Sequence, residues 1–379
     1  MSKVCIGDII QRVKNKANKD ETELEYYVGG EHFDSGEVTV TRYGKIAGST
    51  IGPAFNTCFE KGDVLLMSRN PHLRKAGMVG FDGICSDVSY ICRTRDESVL
   101  LQEFIPFIYQ SDAFWEFAEA NKRGSTNFFL NWSDFERYEF ELPSLSVQKE
   151  LVEVLWAADK TKKSYQNLIK STDELVKSQF IEMFGNPVTN DKGWDFKPLP
   201  NVTTIVLGTT PKSSEPEYWD GNVKWITPAE LEDGTFEIFD SVRHITEKGV
   251  KSAGLRPFPK GTVVFSTRAP IGKTAIAGCE MYCNQGFKNF VCGPKVNPVY
   301  LFSALRFNKD YFISLGTGNT FKELSKARLE QISISVPPIE LQNEFEALYR
   351  QSDKSKFELE QSLAELTATY KRIISENLG

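Results

Sequence analysis

Leu142-Pro143-Ser144-Leu145-Ser146-Val147-Gln148 opens a stretch that then runs without Gly or Pro as far as Phe184-Gly185-Asn186-Pro187. Within it Val147, Leu151, Val154, Ala158, Thr161, Tyr165, Leu168, Thr172 and Leu175 recur at alternating spacings of four and three. That is the pattern of a helix packed along another helix. A second opening of the same kind, Val336-Pro337-Pro338-Ile339-Glu340-Leu341-Gln342, leads into a run that reaches the C-terminus. The same long helix therefore occurs twice, each time after a globular block.

The blocks themselves repeat. Phe258-Pro259-Lys260-Gly261-Thr262-Val263-Val264-Phe265-Ser266-Thr267-Arg268 aligns without a gap on Phe59-Glu60-Lys61-Gly62-Asp63-Val64-Leu65-Leu66-Met67-Ser68-Arg69. Trp225 to Gly234 answers Tyr27 to Gly36, Gly318-Asn319-Thr320-Phe321 answers Gly124-Ser125-Thr126-Asn127, and Ile332 to Val336 answers the strand at Tyr138. Matches in one order at offsets of 194 to 199 residues mark a duplicated unit of domain plus helix.

In the first block Ile6 to Lys16 reads as helical or mixed. Strand runs follow at Tyr26–Val28, Val38–Val40, Val64–Met67, Gly77–Gly80 and Val88–Cys92, broken by glycines. Leu100 to Ala120 reads as helical, and Tyr138 to Leu142 as a strand. The expected fold class is α+β. It comprises a mixed α/β domain at residues 1–146, a long helix at 147–185, a second mixed domain at 186–335 and a second long helix at 336–379.

Length and composition bound the chemistry. At 379 residues, with about 40% hydrophobic and 25% charged, the chain suits a soluble protein of two domains. It has no run of eighteen apolar residues and no signal-peptide pattern, and its seven cysteines include no C-x-x-C pair. A cytoplasmic protein with reduced thiols is expected. The net charge of −6 is unevenly spread: residues 1–146 carry −6, 147–189 are neutral, 190–335 carry +3 and 336–379 carry −3. DNA binding would need locally concentrated positive charge or help from a partner.

Several chemistries lack their residues. Ile271-Gly272-Lys273-Thr274 resembles the end of a phosphate loop, but Thr267 stands where the first glycine is required. There is no G-x-S-x-G and no H-E-x-x-H, and His32, His72 and His244 are far apart in sequence. No catalytic residue, metal ligand or cofactor loop is assigned to this chain.

Gly208-Thr209-Thr210-Pro211-Lys212-Ser213, Tyr218-Trp219-Asp220-Gly221, Trp225-Ile226-Thr227-Pro228-Ala229-Glu230-Leu231, Lys260 to Ser266, Gly272-Lys273, Asn284-Gln285-Gly286-Phe287 and Pro337 to Gln342 stand in a familiar order. With the domain–helix–domain–helix plan, they resemble the DNA-specificity subunit of type I restriction–modification systems. The resemblance covers nearly the whole chain and is weakest in residues 1–60. It implies two target recognition domains, each reading half of a split site in double-stranded DNA, and two antiparallel helices related by a pseudo-two-fold axis. It also implies docking of two methyltransferase subunits, with motor and nuclease subunits joining the larger assembly. The specificity subunit would itself be non-catalytic, with S-adenosylmethionine, ATP and Mg belonging to the partners. A helix over 147–184 would span about 57 Å at about 1.5 Å per residue. Half-sites one DNA turn apart lie about 34–36 Å from centre to centre, which suits the helices as a ruler.

Candidate DNA contacts lie in loops. In the first domain they are Arg69, Asn70, His72, Arg74 and Lys75, then Lys122, Arg123 and Asn127. In the second they are Lys212, Ser213 and Ser214 after an apolar strand, Arg268 and Lys273 around a strand turn, Lys288, and Asn319, Thr320 and Lys322 before the last strand. Arginine can offer two donors to guanine, and short polar side chains can grip phosphate. A solvated loop at Lys212, or an internal ion pair for Arg268, are the competing readings. A self-contained nuclease and a coiled-coil scaffold that binds no DNA are the competing functions.

Overall fold

The computed structural model describes residues 2–268, 270–317 and 322–379. Asn319 and Thr320, both candidate contacts, lie outside the described residues. The chain divides into two compact units, Met1–Asn167 with Gln361–Gly379, and Leu168–Glu360. Each unit takes one end of each long helix, so these units cut across the two helices.

The first unit has a five-stranded sheet in the order Ile10–Val13, Ser89–Thr94, Val64–Met67, Ala76–Val79, Thr39–Val40. The second has Thr203–Leu207, Lys288–Cys292, Val263–Thr267, Ile271–Ala277, Glu237–Ile238 in the same order. In both sheets the short edge strand pairs parallel with its neighbour. In both units a two-stranded ribbon joins the start of the domain to its last strand, Ser2–Cys5 with Glu139–Leu142 and Asp195–Pro198 with Ser333–Val336. Tyr27 faces Ile84 in the first unit as Trp225 faces Tyr282 in the second, again in parallel pairs. The duplication read from sequence is therefore a duplication of topology and register.

Some local structure departs from the sequence reading. Ile6–Ile9 is a single helical turn that passes directly into the strand Ile10–Val13. Strands at Phe55–Phe59 and Gly83–Ser86 were not anticipated. Leu100 to Ala120 is not one helix. It breaks into a 3-10 turn at Gln102–Phe104, a helix at Ile105–Ile108 and another at Asp112–Ala120. Ser111 starts the last of these by accepting a hydrogen bond from the Phe114 N–H, which satisfies one of a helix's orphan donors and favours a new start there.

The long helices run from Leu145 to Phe184 and from Ile339 to Leu378, 40 residues each. Within the second unit, Phe180 meets Phe345 edge to face at 5.3 Å and Asp173 pairs with Lys356 at 2.8 Å. Residue number rises along one helix as it falls along the other, so the two segments are antiparallel. Within the first unit, Val152 and Leu155 share a core with Tyr370, Ile374 and Leu378, and the Lys162 ammonium sits over the Tyr370 ring at 4.8 Å.

The buried stripe of the first helix corrects the heptad reading by one residue. Gln148, Val152, Leu155, Asp159 and Val176 are buried where Val147, Leu151, Val154, Ala158 and Leu175 were expected to be. Val154, Leu168 and Leu175 are instead 50%, 51% and 55% exposed. A glutamine and an aspartate lie in the true stripe, which hides it from a hydrophobic pattern. Each helix is also tied to the edge strand of its own unit. Lys163 donates to Thr39 Oγ1 at 2.6 Å and pairs with Asp159, while Arg350 pairs with Glu237 at 2.9 Å.

Candidate nucleic-acid interface

In the first unit the loop after Val64–Met67 carries Arg69, Asn70, His72, Arg74 and Lys75. A 3-10 turn at Pro71–Leu73 shapes it, with Asn70 and Arg74 in the left-handed region at φ 53° and 47°. A second loop, Lys122 to Leu130, is clasped against it. Asn70 N donates to Phe128 O and Leu130 N donates to Ser68 O, each at 2.8 Å. Arg123 and Phe129 exchange backbone hydrogen bonds at 2.8 and 2.9 Å, closing the second loop into a small hairpin. The fold thus brings both candidate clusters of this domain together, although they lie about fifty residues apart in sequence.

Side-chain pairing divides the candidates. Arg74 pairs with Asp112, Lys75 donates to Gly30 O, and Lys122 pairs with Glu119 at 2.6 Å while lying over the Phe128 ring. Arg123 grips buried Asp134 with two donors at 2.7 and 3.0 Å, and Arg137 adds a third. These bonds hold the Asp134 carboxyl below the ordinary aspartate value, the Arg123 hydrogen bond being the largest cause. Arg69, His72 and Asn127 are exposed, and among the described residues Arg69 has no ion-pair partner. Four of this domain's candidate cations, Arg74, Lys75, Lys122 and Arg123, are thus engaged with its own oxygens, which keeps the local positive field small.

The second unit builds the same clasp. Leu324 N donates to Thr267 O at 2.9 Å, and Thr317 and Glu323 exchange backbone bonds at 3.0 and 2.9 Å. Arg268 forms a β-bridge with Glu323, as Arg69 does with Phe129. Arg268 is half-buried, and among the described residues it has no side-chain ion pair. Lys322 is exposed. Lys273 lies in the strand Ile271–Ala277 and its ammonium donates to Pro228 O at 3.1 Å. Lys288, read from sequence as a contact, is buried. Its ammonium donates to Thr267 Oγ1 at 2.8 Å and pairs with Glu323 at 3.4 Å.

Lys212, Ser213 and Ser214 are exposed at the tip of a loop whose base is fixed. Trp225 Nε1 donates to Thr209 O at 3.0 Å, Trp219 Nε1 to Lys212 O at 3.2 Å, and Thr210 bonds Gln285. Gly208 packs so closely that a Cβ there would lie 2.1 Å from Asn284 O, which gives the glycine of this motif its physical reason. Sequence reasoning missed Arg243, whose guanidinium stacks 3.8 Å from the Trp219 ring centroid beside exposed Val242 and Phe239. Its only sequence signal was an arginine in a loop following a short edge strand. Among the described residues no group of three or more His, Cys, Asp or Glu is placed to hold a metal. None of the described helices is long and apolar enough to cross a membrane, and the seven cysteines are free thiols.

Residues 191–367 match the family model described as the type I restriction modification DNA specificity domain. This stretch belongs to that family. Over 154 residues the chain is 38% identical to the type I restriction enzyme MjaIX specificity subunit of Methanocaldococcus jannaschii, a match covering 40% of this chain and 36% of the relative. The chain thus spans about a third of that relative's length. The fold extends the likeness over the whole chain. The type I restriction–modification S subunit from M. genitalium superposes with a TM-score of 0.64 at 15% identity, covering 100% of this chain and 96% of that one. A chain from work on complex assembly and conformational transition of the type I system gives 0.60 at 20% identity, covering 98% and 96%. The resemblance to type I specificity subunits read from the motifs therefore holds. The matched specificity domain contains the clasp of Arg268 and Glu323, and the topological repeat places the clasp of Arg69 and Phe129 in the same position of the first unit.

Proposed function

We propose that the chain is the sequence-reading subunit of a type I restriction–modification complex, with one half-site of a bipartite DNA sequence read by each unit. The observation that carries this reading is the repeated clasp. In both units an arginine at the end of the central strand, Arg69 or Arg268, is bridged to a second loop. Two equivalent loop pairs, each with an arginine that has no ion-pair partner among the described residues, suit two short stretches of bases better than one continuous surface.

Methyl transfer, translocation and cleavage belong in this reading to partner subunits, with S-adenosylmethionine, ATP and Mg bound there. The pairing of Arg74, Lys75, Lys122 and Arg123 inside the first unit makes the isolated chain a weak binder, so a methyltransferase pair supplies much of the phosphate contact. The exposed Leu168 and Leu175 of the second unit suit such a partner.

The test is selection from a random duplex pool by the chain with and without its methyltransferase partner, followed by sequencing. Two short motifs at a fixed separation are expected, with retention stronger in the complex. One continuous motif, no enrichment, or cleavage by the chain alone would each count against the reading.

A further inference from the structure

Tyr90 and Lys288 occupy the same place in their sheets. Tyr90 stands opposite Leu66 in the ladder between Ser89–Thr94 and Val64–Met67. Val263 faces Phe290 and Ser266 faces Phe287, which sets Lys288 opposite Phe265, the counterpart of Leu66. Both residues are nearly buried, at 6% and 7% exposure. Both reach the point where the two loops of the clasp meet. The Tyr90 hydroxyl donates to Leu130 O at 2.7 Å, beside the bond from Leu130 N to Ser68 O. The Lys288 ammonium donates to Thr267 Oγ1 and pairs with Glu323, beside the bond from Leu324 N to Thr267 O. Tyr90 packs edge-on against Trp132 at 5.3 Å under the Arg12 guanidinium, and both residues sit in strands, Ser89–Thr94 and Lys288–Cys292.

Resting on the reading above, we propose that Tyr90 and Lys288 are positioning residues that set the Arg69 and Arg268 loops for base reading, and that neither touches DNA. A strand is a rigid mount, whereas the loops it ties are held to each other by few backbone bonds. Binding geometry is sensitive to small displacements, so a tie at this point governs which base edges the arginines meet. The chemistry differs between the units, a neutral hydroxyl in one and a charged amine in the other. Burial lowers the Lys288 amine from its ordinary value, as a group withdrawn from solvent requires.

The test uses the full chain with its methyltransferase partner and the duplex selected by the wild type. Tyr90→Phe and Lys288→Met are each compared by repeat selection and by binding across a salt series. Each variant is expected to relax base preference in its own half-site only. Cognate affinity should fall roughly tenfold for a lost buried hydrogen bond, with an unchanged slope of log affinity on log salt. A phosphate-contacting lysine would lower that slope by about 0.9, and such a fall for Lys288→Met would overturn the proposal. Unchanged preference, or equal relaxation in both half-sites, would overturn it as well. If Lys288→Met does not fold, Glu323→Gln takes its place and must relax the second half-site alone. A wild-type complex that selects no DNA would instead sink the underlying reading.

Discussion

Gln148 and Gln342 form the same bracket, 194 residues apart in the chain. Gln148 Nε2 donates to Val99 O and Pro143 O at 2.9 Å, and its Oε1 accepts from Leu101 N at 3.1 Å. Gln342 Nε2 donates to Lys295 O at 3.0 Å and Pro337 O at 2.7 Å, and its Oε1 accepts from Asn297 N at 2.8 Å. Both side chains are fully buried. The glutamine that closes the Pro-containing motif is thus a bolt between the first turn of a long helix and the loop ahead of its own domain's helices.

Replacing either glutamine by leucine keeps the volume and strands an N–H and two carbonyls. Gln148→Leu and Gln342→Leu are each expected to cost roughly 2–3 kcal/mol, from the penalty of buried unpaired polar groups. Denaturant midpoints followed by circular dichroism check this. Loss of less than about half a kcal/mol would show that water replaces the bracket.

The register of the helix seam gives a second test. Phe180 is buried among Phe184, Tyr300, Phe307 and Phe345. Phe180→Ala should destabilise the second unit by about 3–5 kcal/mol. Leu175→Ala and Leu168→Ala, in the stripe read from sequence, should change stability by no more than about 0.5 kcal/mol. Thermal melts of the three variants decide between the two registers.

Asp134 predicts a pH dependence. Its folded pKa lies below the ordinary 3.8, so ionisation favours the folded state. That contribution is complete above the unfolded value and is lost as pH falls through the lower folded value. Wild-type stability should therefore drop more steeply below about pH 4 than that of Asp134→Asn. Parallel acid titrations of the two proteins would expose an error, since matching slopes would mean that the Arg123–Asp134 pair contributes nothing.

The proposed partner docking is separable by experiment from the proposed DNA reading. Leu168→Glu combined with Leu175→Glu places charge in the exposed stripe without disturbing the seam. Co-purification with the methyltransferase should weaken, while the chain keeps its wild-type melting profile. Undiminished co-purification would move the docking surface elsewhere on the chain.

The sequence alone determined the duplication, the two long helices and the places where each starts. These depend on local chemistry: a Pro ahead of a Gly-free run, glycines between strand runs, and motifs repeated at one offset. It also located the loops that carry Arg69 and Arg268. Tertiary structure decided what local patterning cannot. Val147, Val154 and Leu175 follow the heptad spacing, yet the buried stripe is the one through Gln148, Val152, Leu155, Asp159 and Val176, whose apolar members join the two cores while Gln148 is bonded to the domain. Leu100 to Ala120 breaks at Ser111, where a side-chain cap competes with helix continuation. Lys288 reads as a loop cation beside Asn284-Gln285-Gly286-Phe287, yet it lies on a central strand with its charge turned beneath the clasp. For Gln148 and Lys288 a hydrogen-bond partner distant in the chain decided the role, and for Ser111 a backbone N–H three residues on did.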